Sequence, residues 1–390
     1  GGQAGCIRAL FRSMEKISRL SALRQQLTAS APLSPALRGG HTQTLLGHVL
    51  PSLSRQEFNL SKAHTLSLAD GDKLVGHVGP ASPAARGWLH IFHGLSGDVD
   101  SVYMPRAAVA AARAGFNTML WNHRGCGLGR RLAMAPYHSG RSDDIARVIQ
   151  WSKRQWPGTP HGVLGFSLSA NATCLLAAGI VPALSTTPLT ADEWHQIDGA
   201  LPDFAIAVNP PFDLARASRR LSHEGSRLYG SRFVFDLLQL LDDRNAMTPT
   251  TDQQHDLKQI ARHARANLNL FSSVEQFDDL YTSRAGGFED RKDYYAKASS
   301  GQYLSNTALP LVVLSAEDDP ITHGFSDLPT DFSTSSSSSD WIALDRQESG
   351  GHMGYVDAVT LRGQLRAVAR PTLHPQTWFE RRLAMYLEQL

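Results

Sequence analysis

The chain has 390 residues, 42% of them hydrophobic, and 38 basic against 36 acidic side chains. A net charge of +2 provides no global attraction for nucleic acid, and the balance is that of a folded protein with a large core. Three cysteines (Cys6, Cys126, Cys174) in no metal-binding spacing argue against a disulfide framework, and no run reaches the roughly 20 apolar residues of a membrane span.

Residues 6–28 read as an amphipathic helix. Ile7, Leu10, Phe11, Met14, Ile17, Leu20 and Leu27 recur near helical spacing, and Arg8, Arg12, Lys16, Arg19 and Arg24 face away from them against one acid, Glu15. A helix docked on its own domain with a solvated basic face is the expectation. The alternative is a surface anchor for anionic lipid. Next, RGGHTQTL at 38–45 gathers glycines, His41 and hydroxyls into a fixed irregular segment whose spacing alone gives no mechanism. Short strands are expected at 56–60, 65–68 and Lys73–Val78, with Asp70-Gly71 as a hairpin turn.

Gly87–Phe92 is a buried-strand pattern that runs into His93-Gly94-Leu95-Ser96-Gly97-Asp98. A helix is expected at 102–114, capped by Asp98 or Ser101 and ended by Gly115. A strand at 117–121 leads to Asn122-His123-Arg124-Gly125-Cys126-Gly127, a loop that His123 and Arg124 are expected to tie down. A helix at 143–156 stops at Pro157-Gly158. The alternation of strands and helices predicts a doubly wound, mostly parallel sheet.

GVLGFSLSA at 162–170 has the form strand, sharp turn, helix, with a serine on the turn. Such a turn exposes a hydroxyl above the sheet edge, and the helix N-terminus aims backbone N–H groups at the same point. Ser169 stands where the G-x-S-x-G pattern has its last glycine, and it competes with Ser167 as nucleophile. The loop at 182–195 and a strand at 200–208 follow. Residues 212–300 then read as helices, with Phe233, Phe235, Leu237 and Leu238 as either acyl-pocket wall or core. A strand at 309–315 ends at Ala316-Glu317-Asp318-Asp319-Pro320. The serine-rich stretch 333–339 precedes a last strand at 341–344, then Gly350-Gly351-His352-Met353-Gly354 and a closing helix at 377–390.

Ser167, Asp319 and His352 each follow an apolar strand, in the order Ser, Asp, His. A serine hydroxyl needs a base to take its proton, an imidazole titrates in the right range, and a carboxylate fixes its tautomer. Asp318 competes with Asp319, and the Asp-Pro-Ile run is similar to the acid loop of α/β-hydrolases, a resemblance that favours Asp319. The backbone N–H groups of Leu95 and Leu168 are the expected oxyanion donors.

RGGHTQTL (38–45), HGLSGD (93–98), NHRGCG (122–127), GFSLSAN (165–171), AEDDP (316–320) and GGHMG (350–354) together resemble the YheT-like subfamily of α/β-hydrolases. That subfamily includes bacterial esterases, yeast medium-chain ethyl-ester synthases and mammalian abhydrolase-domain lipases. The resemblance implies an α/β-hydrolase domain over 35–390 with a helical lid insertion at about 212–300, behind an amphipathic extension at 1–34. It also implies a serine hydrolase of lipid or medium-chain carboxylic esters, with Ser167, Asp319 and His352 as triad and no metal or organic cofactor. Two alternatives stay open: acyl transfer to an alcohol at the same site, and an inactive binding protein on the same fold. The expected setting is cytoplasmic, with the basic helix as the point of any peripheral membrane contact.

Overall fold

The computed structural model describes residues 2–50, 63–79, 81–180, 201–329, 332, 340–369 and 376–390, with side chains from residue 13 onward and none at 367–369. The strand expected at 56–60, the loop at 182–195, the serine-rich stretch 333–339 and the apolar side chains of Ile7, Leu10 and Phe11 lie outside the described residues.

A single sheet of eight strands organises the chain. Its strands are β1 (Ala63–Ser67), β2 (Lys73–Val78), β3 (Gly87–Phe92), β4 (Phe116–Asn122), β5 (His161–Phe166), β6 (Phe204–Val208), β7 (Leu311–Ala316) and β8 (Ile342–Gln347), in the order β1-β2-β4-β3-β5-β6-β7-β8. β1 and β2 form an antiparallel hairpin, β2 pairs antiparallel with β4, and every later pairing is parallel. The central strands are covered on both faces, which is why they read as nearly continuous apolar runs.

Side-chain alternation along each strand divides the core. Leu89, Ile91, Leu164 and Phe166 point to one face. There they meet Leu20 and Leu23 of α1 (Gly2–Ala29) and the alanine-rich side of α3 (Tyr103–Arg113); α2 (Gly40–Val49) precedes α3 in the chain. Trp88, Phe92 and Val163 point the other way, onto Ile145 and Ile149 of α4 (Ser142–Gln155) and Leu176 of α5 (Leu168–Ala177). α1 is further tied to the domain by Arg24, which donates to the Ile342 carbonyl, and by Lys16, which donates to that of Asp203. No helix among the described residues is long and apolar enough to cross a membrane.

The loop after β4 is anchored by a buried guanidinium. Arg124 donates to Asp70 and Asp72 on the β1–β2 turn at 2.6 and 2.7 Å, and to both oxygens of Asp144 on α4. Three carboxylates around one fork offset the desolvation that a lone buried charge would suffer.

The link from β6 to β7 is helical: α6 (Leu214–His223), α7 (Arg227–Ala246), α8 (Asp252–Asn267), an irregular run made of Val274–Phe277, Asp278–Thr282 and Ser283–Ala285, and α9 (Arg291–Ala298). Their apolar sides form a core of their own around Val234, Leu241, Ala261 and Phe277. The chain ends with α10 (Ala358–Ala369) and α11 (Trp378–Gln389), the latter opened by a Thr377–Glu380 capping box.

Three expectations need correction. The RGGHTQTL segment is not irregular, since its residues from Gly40 onward open the helix α2. Neither Asp98 nor Ser101 caps α3: Val102 occupies the cap without a side-chain bond, and Asp98 and Ser101 close their own tight turn instead. β8 also extends past the expected end at 344. Its inward residues there are polar, since Asp345 receives Arg382 and Tyr386 while the Gln347 side chain accepts from the Leu33 amide.

Candidate active site

β5 leads straight into a strained turn. Ser167 has φ 52° and ψ −114°, a backbone region that L-residues avoid, and α5 starts at the next residue. The Ser167 amide donates to the Val208 carbonyl at 2.8 Å, so the turn remains stitched to the sheet. Gly165 makes the tight turn feasible: a Cβ there would lie 2.4 Å from both the Ser169 carbonyl oxygen and Thr173 Oγ1.

Loops after β7 and β8 bring two more side chains to the hydroxyl. His352 Nε2 is 2.8 Å from Ser167 Oγ, and His352 Nδ1 is 2.8 Å from Asp319 Oδ2. Asp319 is fully buried and well supplied with donors. The amides of Ile321 and Thr322 donate to Oδ1, and the Thr322 hydroxyl and Asn209 Nδ2 donate to Oδ2. Burial alone would raise this carboxyl, but the His352 ring and the two amides outweigh it and hold Asp319 below the usual carboxylate range. Its rival Asp318 accepts from the Gly351 amide at 2.8 Å and is pushed up by burial, so it braces the histidine loop and leaves the ring to Asp319.

Sequence reading passed over Asn209. It sits just past β6 at φ 51°, bonds both Asp319 and the Gly351 carbonyl, and accepts from the Tyr355 hydroxyl. The available signal was a polar side chain directly after a buried strand, facing the same rim as the other two loops.

RGGHTQTL acquires a role here. Thr44 Oγ1 accepts from the His352 amide at 2.8 Å, and the Gln43 side chain bridges the Leu37 and Val356 backbones. A Cβ on Gly40 would fall 1.6 Å from the Asp318 carbonyl oxygen, and one on Gly47 would fall 2.6 Å from Gly354 Cα. The segment is therefore a clamp pressed against the acid and histidine loops, and its glycines are the points of contact.

The turn after β3 lies across from Ser167. Gly94 donates its amide to the Tyr103 hydroxyl and Ser96 donates its own to Tyr137, each at 3.0 Å. The amide between them belongs to Leu95. Behind this turn, the His123 amide donates to His93 Nε2, which leaves the His93 proton on Nδ1, facing the Gly94 carbonyl. Burial pushes His93 down to about 4 and His123 down to about 3, so both rings are neutral. Ser169 is fully buried, with its hydroxyl donating to the His93 carbonyl and lying 2.6 Å from His123 Nε2. It braces the turn and has no access to the space above Ser167.

Two chambers meet at Ser167. An inner cavity lies beneath the helical link, walled by Leu214, Leu221, Phe233, Leu237, Leu240 and Phe277 among others. An outer cavity is bordered by Thr44, His48, Tyr103, Tyr229 and Arg232. Both are lined by Leu95, Ser167, Phe233, Ile321 and His352. Of the four apolar residues in question on α7, Phe233 and Leu237 face the cavity, Leu238 is core, and Phe235 is 40% exposed.

A parallel sheet with a serine at a strand–helix elbow, and an acid and a histidine delivered by later strand ends, defines the α/β-hydrolase fold. No protein-family profile matches the chain. An Escherichia coli protein named as an esterase, YheT, is 28% identical over 353 residues, covering 89% of each chain. A Saccharomyces cerevisiae monoacylglycerol lipase is 28% identical over 76% of this chain, and that yeast's medium-chain fatty acid ethyl ester synthase/esterase 2 is 24% identical over 72%. This chain spans 60% of the length of each yeast relative. Among solved structures, the Pyrococcus furiosus esterase Pf2001 aligns over 86% of the chain at 12% identity with a TM-score of 0.46. The chain is an α/β-hydrolase by fold and is similar in sequence to YheT over most of its length.

Proposed function

We infer that the protein hydrolyses carboxylic esters through an acyl-enzyme on Ser167. The observation that carries this reading is the unbroken hydrogen-bonded line Asp319–His352–Ser167 at the junction of the two chambers. His352 Nε2 takes the hydroxyl proton as Ser167 Oγ bonds to the acyl carbon. The carbonyl oxygen becomes an oxyanion held by the amides of Leu95 and Leu168. Leu168 is the first residue of α5, so its N–H has no acceptor within the helix, and both neighbours of the Leu95 amide are already committed. The imidazolium, stabilised by Asp319, returns the proton to the departing alcohol. Water then adds by the same route, the C–O bond to Ser167 breaks, and the acid leaves.

The acyl group occupies the inner cavity under the helices of 214–298, which serve as a cover, and the alcohol portion occupies the outer one. The esterase and lipase relatives support an ester substrate. The outer chamber also has room for an acceptor alcohol, which makes acyl transfer the competing outcome at one and the same site.

A chain-length panel of p-nitrophenyl esters, run on wild type and Ser167→Ala and repeated with added alcohol, tests the proposal. Hydrolysis lost in the variant supports it, and ester product formed from the alcohol indicates transfer. Activity retained in Ser167→Ala, or failure of a fluorophosphonate to label Ser167, would overturn it.

A further inference from the structure

The inner cavity is mostly apolar, but one part of its wall is not. Asp278, Tyr295 and Ser218 all line it, and none of them borders the outer chamber. Their polar atoms form a chain: the Tyr295 hydroxyl donates to Asp278 Oδ2 at 2.7 Å, and it lies 2.5 Å from Ser218 Oγ. Asp278 is enclosed by protein yet keeps accessible surface, and that surface faces the cavity. The residue opens a π turn, Asp278–Thr282, inside the irregular helical run, a local departure from α geometry that brings Asp278, Tyr281 and Thr282 onto the cavity wall together.

An unbranched saturated acyl group filling this space would cover the carboxyl with methylenes and leave it only the Tyr295 and Thr282 hydroxyls as donors, a costly arrangement for a carboxyl with four lone-pair sites. A second carboxylate would be repelled. A charged ammonium would have to shed its hydration among Leu237, Leu240 and Phe277 to reach the site. A neutral hydroxyl meets none of these objections, because it donates to Asp278 without bringing a charge into the cavity.

We propose that Asp278 and Tyr295 form a hydroxyl-recognition subsite, and that the preferred acyl group is hydroxylated at a position remote from its carbonyl. The idea builds on the ester-hydrolase reading, which identifies the inner cavity as the acyl site, but its test does not require turnover. Binding of ω-hydroxy fatty acids and of unsubstituted fatty acids of equal length is compared by competition against a fluorescent fatty acid, using the Ser167→Ala protein over a graded chain-length series. The expected result is a window of lengths in which the hydroxy acid binds at least about tenfold tighter. That preference should be lost when Asp278→Leu is added and reduced when Tyr295→Phe is added. Equal or weaker binding of the hydroxy acids at every length, or a preference unchanged by Asp278→Leu, would overturn the subsite. The ratio measured in the Ser167→Ala protein decides even if Asp278→Leu folds poorly. Fluorophosphonate labelling of the wild type reports separately on the serine mechanism, so the two readings can fail independently.

Discussion

The rim of the sheet and the helical cover above it are built on opposite principles. At the rim, Ser167, Asp319 and His352 are fixed by backbone geometry, and the buried carboxylate has four donors besides the ring it faces. In the cover, Asp278 has the Tyr295 hydroxyl and Thr282 to lean on, and burial pushes it up to about 6. The rim supplies its central carboxylate, Asp319, with a full set of donors. The cover tolerates an under-supplied carboxyl, a feature that makes sense where a ligand completes the set.

The sharpest break in this contrast comes from Ser167→Ala, expected to cut kcat/KM on a p-nitrophenyl ester by about 10³–10⁶-fold with the fold intact by circular dichroism. Asp319→Asn should cost on the order of 10⁴-fold in kcat. Its carboxyl is depressed in the folded state, so the stability it contributes is fully present above the ordinary value near 3.9 and disappears as pH falls through the lower folded value. Acid melts of wild type and Asp319→Asn should therefore converge at low pH. Thr44→Val strands the buried His352 amide, so we expect roughly a tenfold fall in kcat, little change in KM, and a loss of about 1–3 kcal/mol in denaturant titrations.

The cover should respond with the opposite sign. The Asp278 carboxyl is raised in the folded state, so folding binds its proton more tightly and stability declines as pH rises from about 4 to about 6, then levels off. Asp278→Asn, which still accepts from Tyr295, should raise stability by about 1–3 kcal/mol at pH 8 and by nothing below about pH 4. A destabilising effect at pH 8 would erase the distinction between the two regions. The smallest effect is expected for Ser169→Gly, about 1 kcal/mol of stability and less than roughly tenfold in kcat, because its hydroxyl only braces the turn carrying Leu95.

What could be read beforehand divides along the same line. The strands bearing Ser167 and Asp319 are buried on both faces, so their apolar runs and the polar residues that end them stand out in the letters alone. An apolar pattern ends β8 too early because Asp345 and Gln347 take inward positions that an apolar pattern would fill, and only their partners Arg382, Tyr386 and Leu33 make sense of them. Gln43 and Thr44 gave no mechanism because their partners, Val356 and His352, lie more than 300 residues along the chain. Asp278 was invisible for a related reason. On a helix with normal periodicity it would read as one more solvated acid beside Asp279, and a π turn leaves no mark in composition.

The Thr44–His352 hydrogen bond spans 308 positions, so its loop closes only after nearly everything between has found its place. Competence to turn over substrate should thus be the final property to return when the denatured chain is diluted into buffer, trailing the recovery of helical ellipticity and of tryptophan burial. On the proposed mechanism, a chain still lacking the GGHMG loop would hold Ser167 without its base.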